Sequence, residues 1–169
     1  MRKIVKNLYT YYMKYLIILF NLLFINSIYT KDLISDGANK IIKDQVFNLN
    51  NGMKIIAFNL EGHIRNNLGY YGKTKCNGIR EMHGNKLLNL NVICEVTFQD
   101  GSKVWSKSER EGDLNQAGVG KSKFIDATDK LKDLIGIECI YAVNKVLDSD
   151  FVKTKCKMTD SLFNKLKIQ

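Results

Sequence analysis

The stretch Leu88-Asn-Leu-Asn-Val-Ile-Cys-Glu-Val-Thr-Phe98 places an apolar side chain at every second position. All but one of the residues between these positions are polar, the exception being Ile93. A period of two is typical of a half-buried β-strand and does not fit a helix. Asp100-Gly101 follows immediately, and both residue types tolerate a positive φ, so the pair predicts a hairpin turn.

The same alternation recurs on both sides of this hairpin. It predicts six further strands, roughly Ile56–Ile64, Tyr70–Cys76, Ser102–Arg110, Gly118–Phe124, Ile137–Val143 and Val152–Met158, with an eighth strand in Val46–Asn50. Many short strands joined by short turns indicate an all-β fold. We expect a small antiparallel up-and-down β-barrel of seven or eight strands, with a β-sandwich as the alternative. A short helix is predicted at Thr128–Leu134 and another at the C-terminus, Asp160–Lys167.

The first thirty residues have the pattern of a secretory signal. Four basic residues and no acid precede or flank an apolar run, Tyr15–Ile25, and the first acid is Asp32. We therefore expect residues 1–30 to be a signal peptide, residues 31–50 an N-terminal lead-in and residues 51–169 a single β-barrel domain. The protein would be exported, either periplasmic or secreted. An uncleaved anchor is the alternative, and it is the case in which the chain would contact a membrane.

The charge pattern bears on the partners. Beyond residue 30 the chain has 22 basic and 17 acidic residues, a net charge of +5. The excess is spread along the chain and forms no basic tract, which argues against a nucleic-acid partner.

Four cysteines suit an exported chain. Cys76, Cys94, Cys139 and Cys156 each fall on the predicted inward face of a strand, and their even number favours disulfides. Three pairings are open. Cys76–Cys94 and Cys139–Cys156 is the simplest, since each pair then spans one predicted turn, and each bridge would contribute about 3 kcal/mol. The spacing does not suit zinc, so we expect no metal site and no cofactor.

The segment Ala117-Gly-Val-Gly-Lys-Ser122 is similar to the end of a phosphate-binding loop. The full motif needs a glycine where this chain has Asn115, and it needs a helix where alternation predicts a strand. We interpret Gly118 and Gly120 as residues facing the interior of a narrow barrel. No catalytic residue is assigned from any motif, and enzymatic activity stays undecided.

The register of the central hairpin decides whether the barrel has room for a ligand. A two-residue turn would bring Trp105 inward together with the charges of Lys103 and Lys107, and burying those charges is costly. We therefore favour a three-residue turn ending at Gly101, which turns Trp105 outward. The predicted ligand-binding residues are then Ser106, Ser108, Arg110 and Tyr141, around space for a small apolar ligand. A fully packed barrel is the alternative.

One stretch resembles a known group of proteins. Val119-Gly-Lys-Ser-Lys-Phe124-Ile-Asp-Ala-Thr128-Asp-Lys-Leu131-Lys-Asp-Leu134-Ile-Gly136 is similar to a segment of small exported β-barrels of the allene oxide cyclase and dirigent type. Asp129 stands at the position of their turn glycine. The resemblance implies a barrel that binds small apolar molecules, and in some members a barrel that steers a cyclisation. It assigns no catalytic residue here.

Three hypotheses about function follow. The first is an exported barrel that binds a small molecule or another envelope component. The second is a cyclase or isomerase, which would need Arg110 or Glu109 inside the barrel. The third is a structural or interaction protein with a filled barrel and an apolar outer patch around Trp105 and Tyr71. The sequence alone leaves the function unknown.

Overall fold

The structure, a computed structural model, describes residues 30–113 and 118–168. Eight strands form a closed antiparallel barrel in which each strand pairs with the next and the last pairs with the first. The strands are β1 (Thr30–Asn48), β2 (Met53–Asn66), β3 (Tyr71–His83), β4 (Lys86–Phe98), β5 (Lys103–Asp113), β6 (Gly118–Ala127), β7 (Glu138–Val146) and β8 (Ser149–Thr159). A 3₁₀ helix (Asp129–Leu134) joins β6 to β7, and helix α1 (Asp160–Leu166) follows β8. The prediction of an up-and-down barrel is confirmed.

Strand β1 corrects the prediction of a loose lead-in over residues 31–50. It pairs with β2 on one side and with β8 on the other, where Thr30 lies opposite Thr159 and Lys40 opposite Ser149. The barrel would have two open edges without it. The end of β1 overlaps the eighth strand predicted in Val46–Asn50. The rest of β1 escaped prediction because polar residues stand at several of its inward positions and because a bulge at Ile42 shifts the alternation.

A second bulge alters the orientation predicted for one residue of the Leu88–Phe98 segment. The pairing of β4 with β5 shifts between Leu87 and Leu90. Leu87 is consequently fully buried, and Leu88, expected on the inward face, is half-buried. From Leu90 onward the alternation is as predicted, and Val92 and Phe98 are buried. An alternating pattern cannot reveal the extra residue of a bulge, because both leucines are equally apolar.

The hairpin between β4 and β5 has the three-residue turn. The backbone N–H of Phe98 donates to the carbonyl of Ser102 at 2.9 Å, and Gly101, with a φ of +80°, donates to the carbonyl of Phe98 at 3.0 Å. The register places Val96 opposite Val104. The side chains of Val104, Ser106, Ser108 and Arg110 therefore face inward, and Trp105 lies on the outer face, as predicted.

One end of the barrel is closed by an apolar plug, which comprises the 3₁₀ helix, α1 and the side chains packed beneath them. Both helices are confirmed at their predicted places, and each contributes two buried residues: Leu131 and Leu134, and Phe163 and Leu166. The hydroxyl of Thr159 caps α1 by accepting from the N–H of Leu162 at 3.3 Å. The other buried members of the cluster are Leu33, Leu68, Tyr70, Val96, Phe98, Val104, Ala127, Cys139, Cys156 and Met158.

The four cysteines form the two predicted disulfides. Cys76 lies directly opposite Cys94, and Cys139 directly opposite Cys156, so each bridge joins adjacent strands on the inward face. Disulfides are typical of proteins that work in an oxidising, extracellular type of environment. Among the described residues there is no helix of the length and hydropathy that a membrane span requires.

Candidate functional site

A cavity of about 470 Å³ lies inside the barrel above the plug. Side chains from all eight strands line it. Its mouth is at the end opposite the plug, where the lining residues Lys54, Gly84 and Lys145 are exposed to solvent. The volume is within the range of known ligand pockets, which are usually a few hundred to about 1,000 Å³. Because the interior holds this cavity, the alternative of a fully packed barrel does not apply.

The deep part of the cavity is apolar. Its floor is formed by the plug residues Leu131 and Leu134. The walls above the floor are formed by Leu33, Phe58, Leu60, Ile64, Leu68, Val92, Val96, Phe98, Val104 and Phe124. An apolar molecule in this space would leave water for a surface of matching polarity, which is the main source of affinity in such pockets.

A belt of hydroxyl groups crosses the middle of the cavity. Ser106 and Ser108 of β5 lie beside Ser122 of β6, and the hydroxyl of Ser108 donates to that of Ser122 at 3.0 Å. Thr74 of β3 also lines the cavity. Its buried hydroxyl has no hydrogen-bond partner within the described part of the chain. A buried polar group without a partner is costly, so this belt is suited to a ligand or a water molecule.

Two glycines of β6 make room for the largest polar side chains of the wall. A Cβ on Gly118 would lie 1.7 Å from Cζ of Arg110, and a Cβ on Gly120 would lie 2.4 Å from Cζ of Tyr141. Any other residue at these positions would displace those side chains. Gly118 and Gly120 thus leave room for interior side chains, and Gly118–Ser122 lies in β6, a strand rather than a phosphate-binding loop. Ala117 lies outside the described residues.

Tyr141 is a neutral donor in this interior. Its hydroxyl lies 3.5 Å from the carbonyl oxygen of Glu109, to which it donates. Burial raises the pKa of Tyr141 to about 12, and the positive charge of Arg110 opposes that rise. The phenol therefore keeps its proton at physiological pH and does not serve as a base.

The mouth of the cavity is strongly cationic. Lys54, Arg80, Arg110 and Lys145 line it, and Asp150 is the one acidic lining residue among the described residues. Burial raises the pKa of Asp150 above its ordinary value, although the charges of Lys145, Arg80 and Arg110 oppose the rise. All three cations are therefore close enough to act on this carboxylate.

The two arginines are held by their surroundings. The guanidinium of Arg80 lies over the ring of Phe58, 5.5 Å from its centroid. Gly78 leaves the space that this ring occupies, since a Cβ there would lie 2.5 Å from the ring carbon Cζ. Arg110 is 7% exposed and lies against Gly118. Both guanidinium groups are thus positioned by the barrel wall.

The four residues predicted as a site, Ser106, Ser108, Arg110 and Tyr141, all line this one cavity. Sequence reasoning missed Arg80, Lys145 and Asp150, although a signal was present. Arg80 has the same parity as Cys76 on β3, Lys145 the same as Tyr141 on β7, and Asp150 the same as Val152 on β8. That shared parity would have placed all three inside.

Other candidates lie outside the cavity. The carboxylate of Glu109 is exposed on the outer face, where it pairs with Lys107 at 2.6 Å. On the same face, Nε1 of Trp105 donates to Glu95 at 3.1 Å. Within residues 30–113 and 118–168, no group of three or more His, Cys, Asp or Glu side chains is arranged to hold a metal ion.

Comparison with known proteins bears on the fold. No family model and no curated protein matches the sequence. The crystal structure of a conserved protein of unknown function from Rhodopseudomonas palustris is similar, with a TM-score of 0.58 and 12% identity, over 77% of this chain and 97% of that one. At this level of identity the likeness shows a shared fold and no shared activity.

Proposed function

We propose that this chain is an exported β-barrel protein that binds a small, largely apolar molecule inside its barrel. The observation behind the proposal is the cavity of about 470 Å³, which is closed by the plug at one end and lined by apolar side chains with a belt of hydroxyls. Ligand pockets commonly combine apolar walls with a few placed polar groups. Ser106, Ser108, Arg110 and Tyr141 are the proposed polar contacts.

Export is supported from two sides. Two disulfides in one chain favour an oxidising compartment. The basic and apolar pattern of residues 1–30 favours a secretory signal, although residues 1–29 lie outside the described part of the chain. The resemblance of residues 119–136 to barrels of the allene oxide cyclase and dirigent type adds support for an apolar ligand.

The interior favours binding over catalysis. A cyclase or isomerase would need an acid or base aimed into the cavity. Of the two residues considered for that role, Arg110 is inside and Glu109 is outside. The one carboxylate that lines the cavity among the described residues, Asp150, lies at the mouth among cations and away from the apolar depth. Arginine stays protonated in proteins, and Tyr141 stays neutral because burial raises its pKa to about 12. A filled structural barrel is likewise disfavoured, because the interior holds a cavity.

A titration with dodecanol tests the proposal. We expect the wild-type protein to bind one molecule, as measured by calorimetry. Ser106→Phe should abolish that binding, because the ring would fill the middle of the cavity. Ser161→Phe is the matched control, since Ser161 is exposed on α1. Absence of binding by the wild type, or equal binding by the two variants, would overturn the proposed function.

A further inference from the structure

We propose that the bound molecule has an anionic head group, a carboxylate or a phosphate on an apolar chain, and that Arg80, Arg110 and Lys145 hold that head at the mouth. This inference rests on the proposed function and names the class of ligand. Three features of the cavity support it: the positive charge of the mouth, the fixed positions of the two arginines, and the change from charged to apolar lining between mouth and floor.

The charge at the mouth is unbalanced. Four cationic side chains and one carboxylate, that of Asp150, line the mouth within the described part of the chain. One carboxylate compensates one positive charge at most, so these lining side chains carry a net positive charge. A concave site with low-dielectric walls focuses such a field and concentrates ions of the opposite sign.

The geometry suits an oxyanion. Arg80 is fixed over Phe58, and Arg110 is fixed against Gly118. Nε of Arg80 is buried and has no hydrogen-bond partner among the described residues. A guanidinium group presents its N–H donors in a planar fork that matches the two oxygens of a carboxylate or phosphate. A guanidinium group that the barrel wall already holds in place loses little conformational freedom when it binds such an anion.

The order of chemistry along the cavity matches an amphiphile. Cations line the mouth, hydroxyls such as Ser106 and Ser122 cross the middle, and apolar side chains line the depth. A molecule with an anionic head and an apolar tail would place its head among the cations of the mouth and its tail against the apolar walls of the depth. A cationic head would meet the excess positive charge, and a neutral head would leave it uncompensated.

The experiment compares three ligands with one alkyl chain, namely laurate, dodecyl phosphate and dodecanol. We expect at least one of the two anions to bind about ten times more tightly than dodecanol or better, as a charge-assisted hydrogen bond allows. Arg80→Met and Arg110→Met should each weaken binding of that anion by about ten- to a hundredfold, and each should weaken dodecanol binding much less. Arg65→Met, on the exposed outer face of β2, is the matched control and should change neither. The stronger of laurate and dodecyl phosphate identifies the head.

Each outcome decides between the two proposals. Equal binding of all three ligands would overturn the anionic head and leave the proposed function standing, whereas absence of binding by all three would overturn both. Acetate or inorganic phosphate bound as tightly as the alkyl anion would show a plain anion site and overturn the amphiphile. Should an arginine variant fail to fold, Asp150→Asn replaces it. Removing this carboxylate should strengthen binding of the alkyl anion, and unchanged or weaker binding would contradict the inference.

Discussion

The two ends of the barrel are built from the same strands and have opposite chemistry. At the plugged end, the inward residues of β7 and β8 include Cys139 and Met158, both buried in the apolar cluster. Toward the mouth, the inward positions of the same two strands hold Lys145 and Asp150. A period of two fixes which face a residue lies on, and its position along the strand fixes whether it stabilises the core or meets solvent.

The difference separates stability from binding. Leu166 in the plug is 4% exposed and does not line the cavity. Leu60, on the cavity wall, is only partly buried because one side of it faces open space. Dispersion contacts are lost wherever a side chain has no partner atoms on one side. The plug therefore supplies the greater part of the core, and the cavity is a region that the fold leaves unfilled.

The largest expected effect compares the two regions directly. Leu166→Ala should cost about 3–5 kcal/mol of unfolding free energy, because it leaves a void in the packed plug away from the cavity. Leu60→Ala should cost about 1 kcal/mol, since the removed atoms already border the cavity. Urea denaturation of the two variants measures both values. Equal losses would mean that the plug has no special role in stability.

The two disulfides allow a second comparison of the plug with the cavity wall, because one lies in the plug cluster and the other does not. Each closes a loop of similar length, with separations of 17 and 18 residues, so removal of either should cost about 3 kcal/mol. Cys139 and Cys156 also pack among plug residues, whereas Cys76 packs with Phe58 and Val92. Replacing the Cys139–Cys156 pair with alanines should therefore cost more than replacing the Cys76–Cys94 pair. Denaturation midpoints without reductant test the order, and a reversed order would contradict it.

A smaller effect is expected where a turn is tied to the plug. Asp100, in the β4–β5 turn, pairs at 2.6 Å with Lys130 of the 3₁₀ helix. The hydrogen bonds from Lys130 and Ser102 lower the pKa of Asp100 from 3.8 to about 2. Because that pKa is lowered in the folded protein, the stabilisation is present above pH 3.8 and is lost as the pH falls toward 2.

Asp100→Asn should accordingly lower the unfolding free energy by about 0.5–1 kcal/mol at neutral pH. The loss is small because solvent screens the ion pair with Lys130. The difference from the wild type should shrink as the pH falls through this window. Urea denaturation at several pH values measures it. A difference that stays constant with pH would show that the ionised carboxylate is not the stabilising species.

Much of this fold follows from alternation alone. The spacing of the cysteines, with each pair spanning one predicted turn, favoured the two pairings that the structure has. The cost of burying Lys103 and Lys107 gave the correct register of the central hairpin. Most of strand β1 was missed because its inward face carries Ser35 and Asn39, so it lacks an apolar stripe. The bulges at Ile42 and after Leu87 were missed because an extra residue has no compositional signature.

The mouth was harder to predict than the belt of hydroxyls. Ser106 and Ser108 follow from the hairpin register, because a single turn fixes their orientation. Arg80, Lys145 and Asp150 stand near the ends of their strands, where a charged residue usually marks exposure to solvent. Sequence periodicity does not report how far the barrel interior extends, since that distance depends on how all eight strands are staggered.

The most direct test of the cavity is a crystal structure with dodecanol that carries bromine on its terminal carbon, located by anomalous scattering. We predict that the bromine lies inside the barrel, in the apolar depth between Val96 and Phe124 and below the hydroxyl of Thr74. A bromine found on the outer surface instead, for example in the groove beside Tyr71 and Phe151, would contradict the claim that this barrel holds its ligand within.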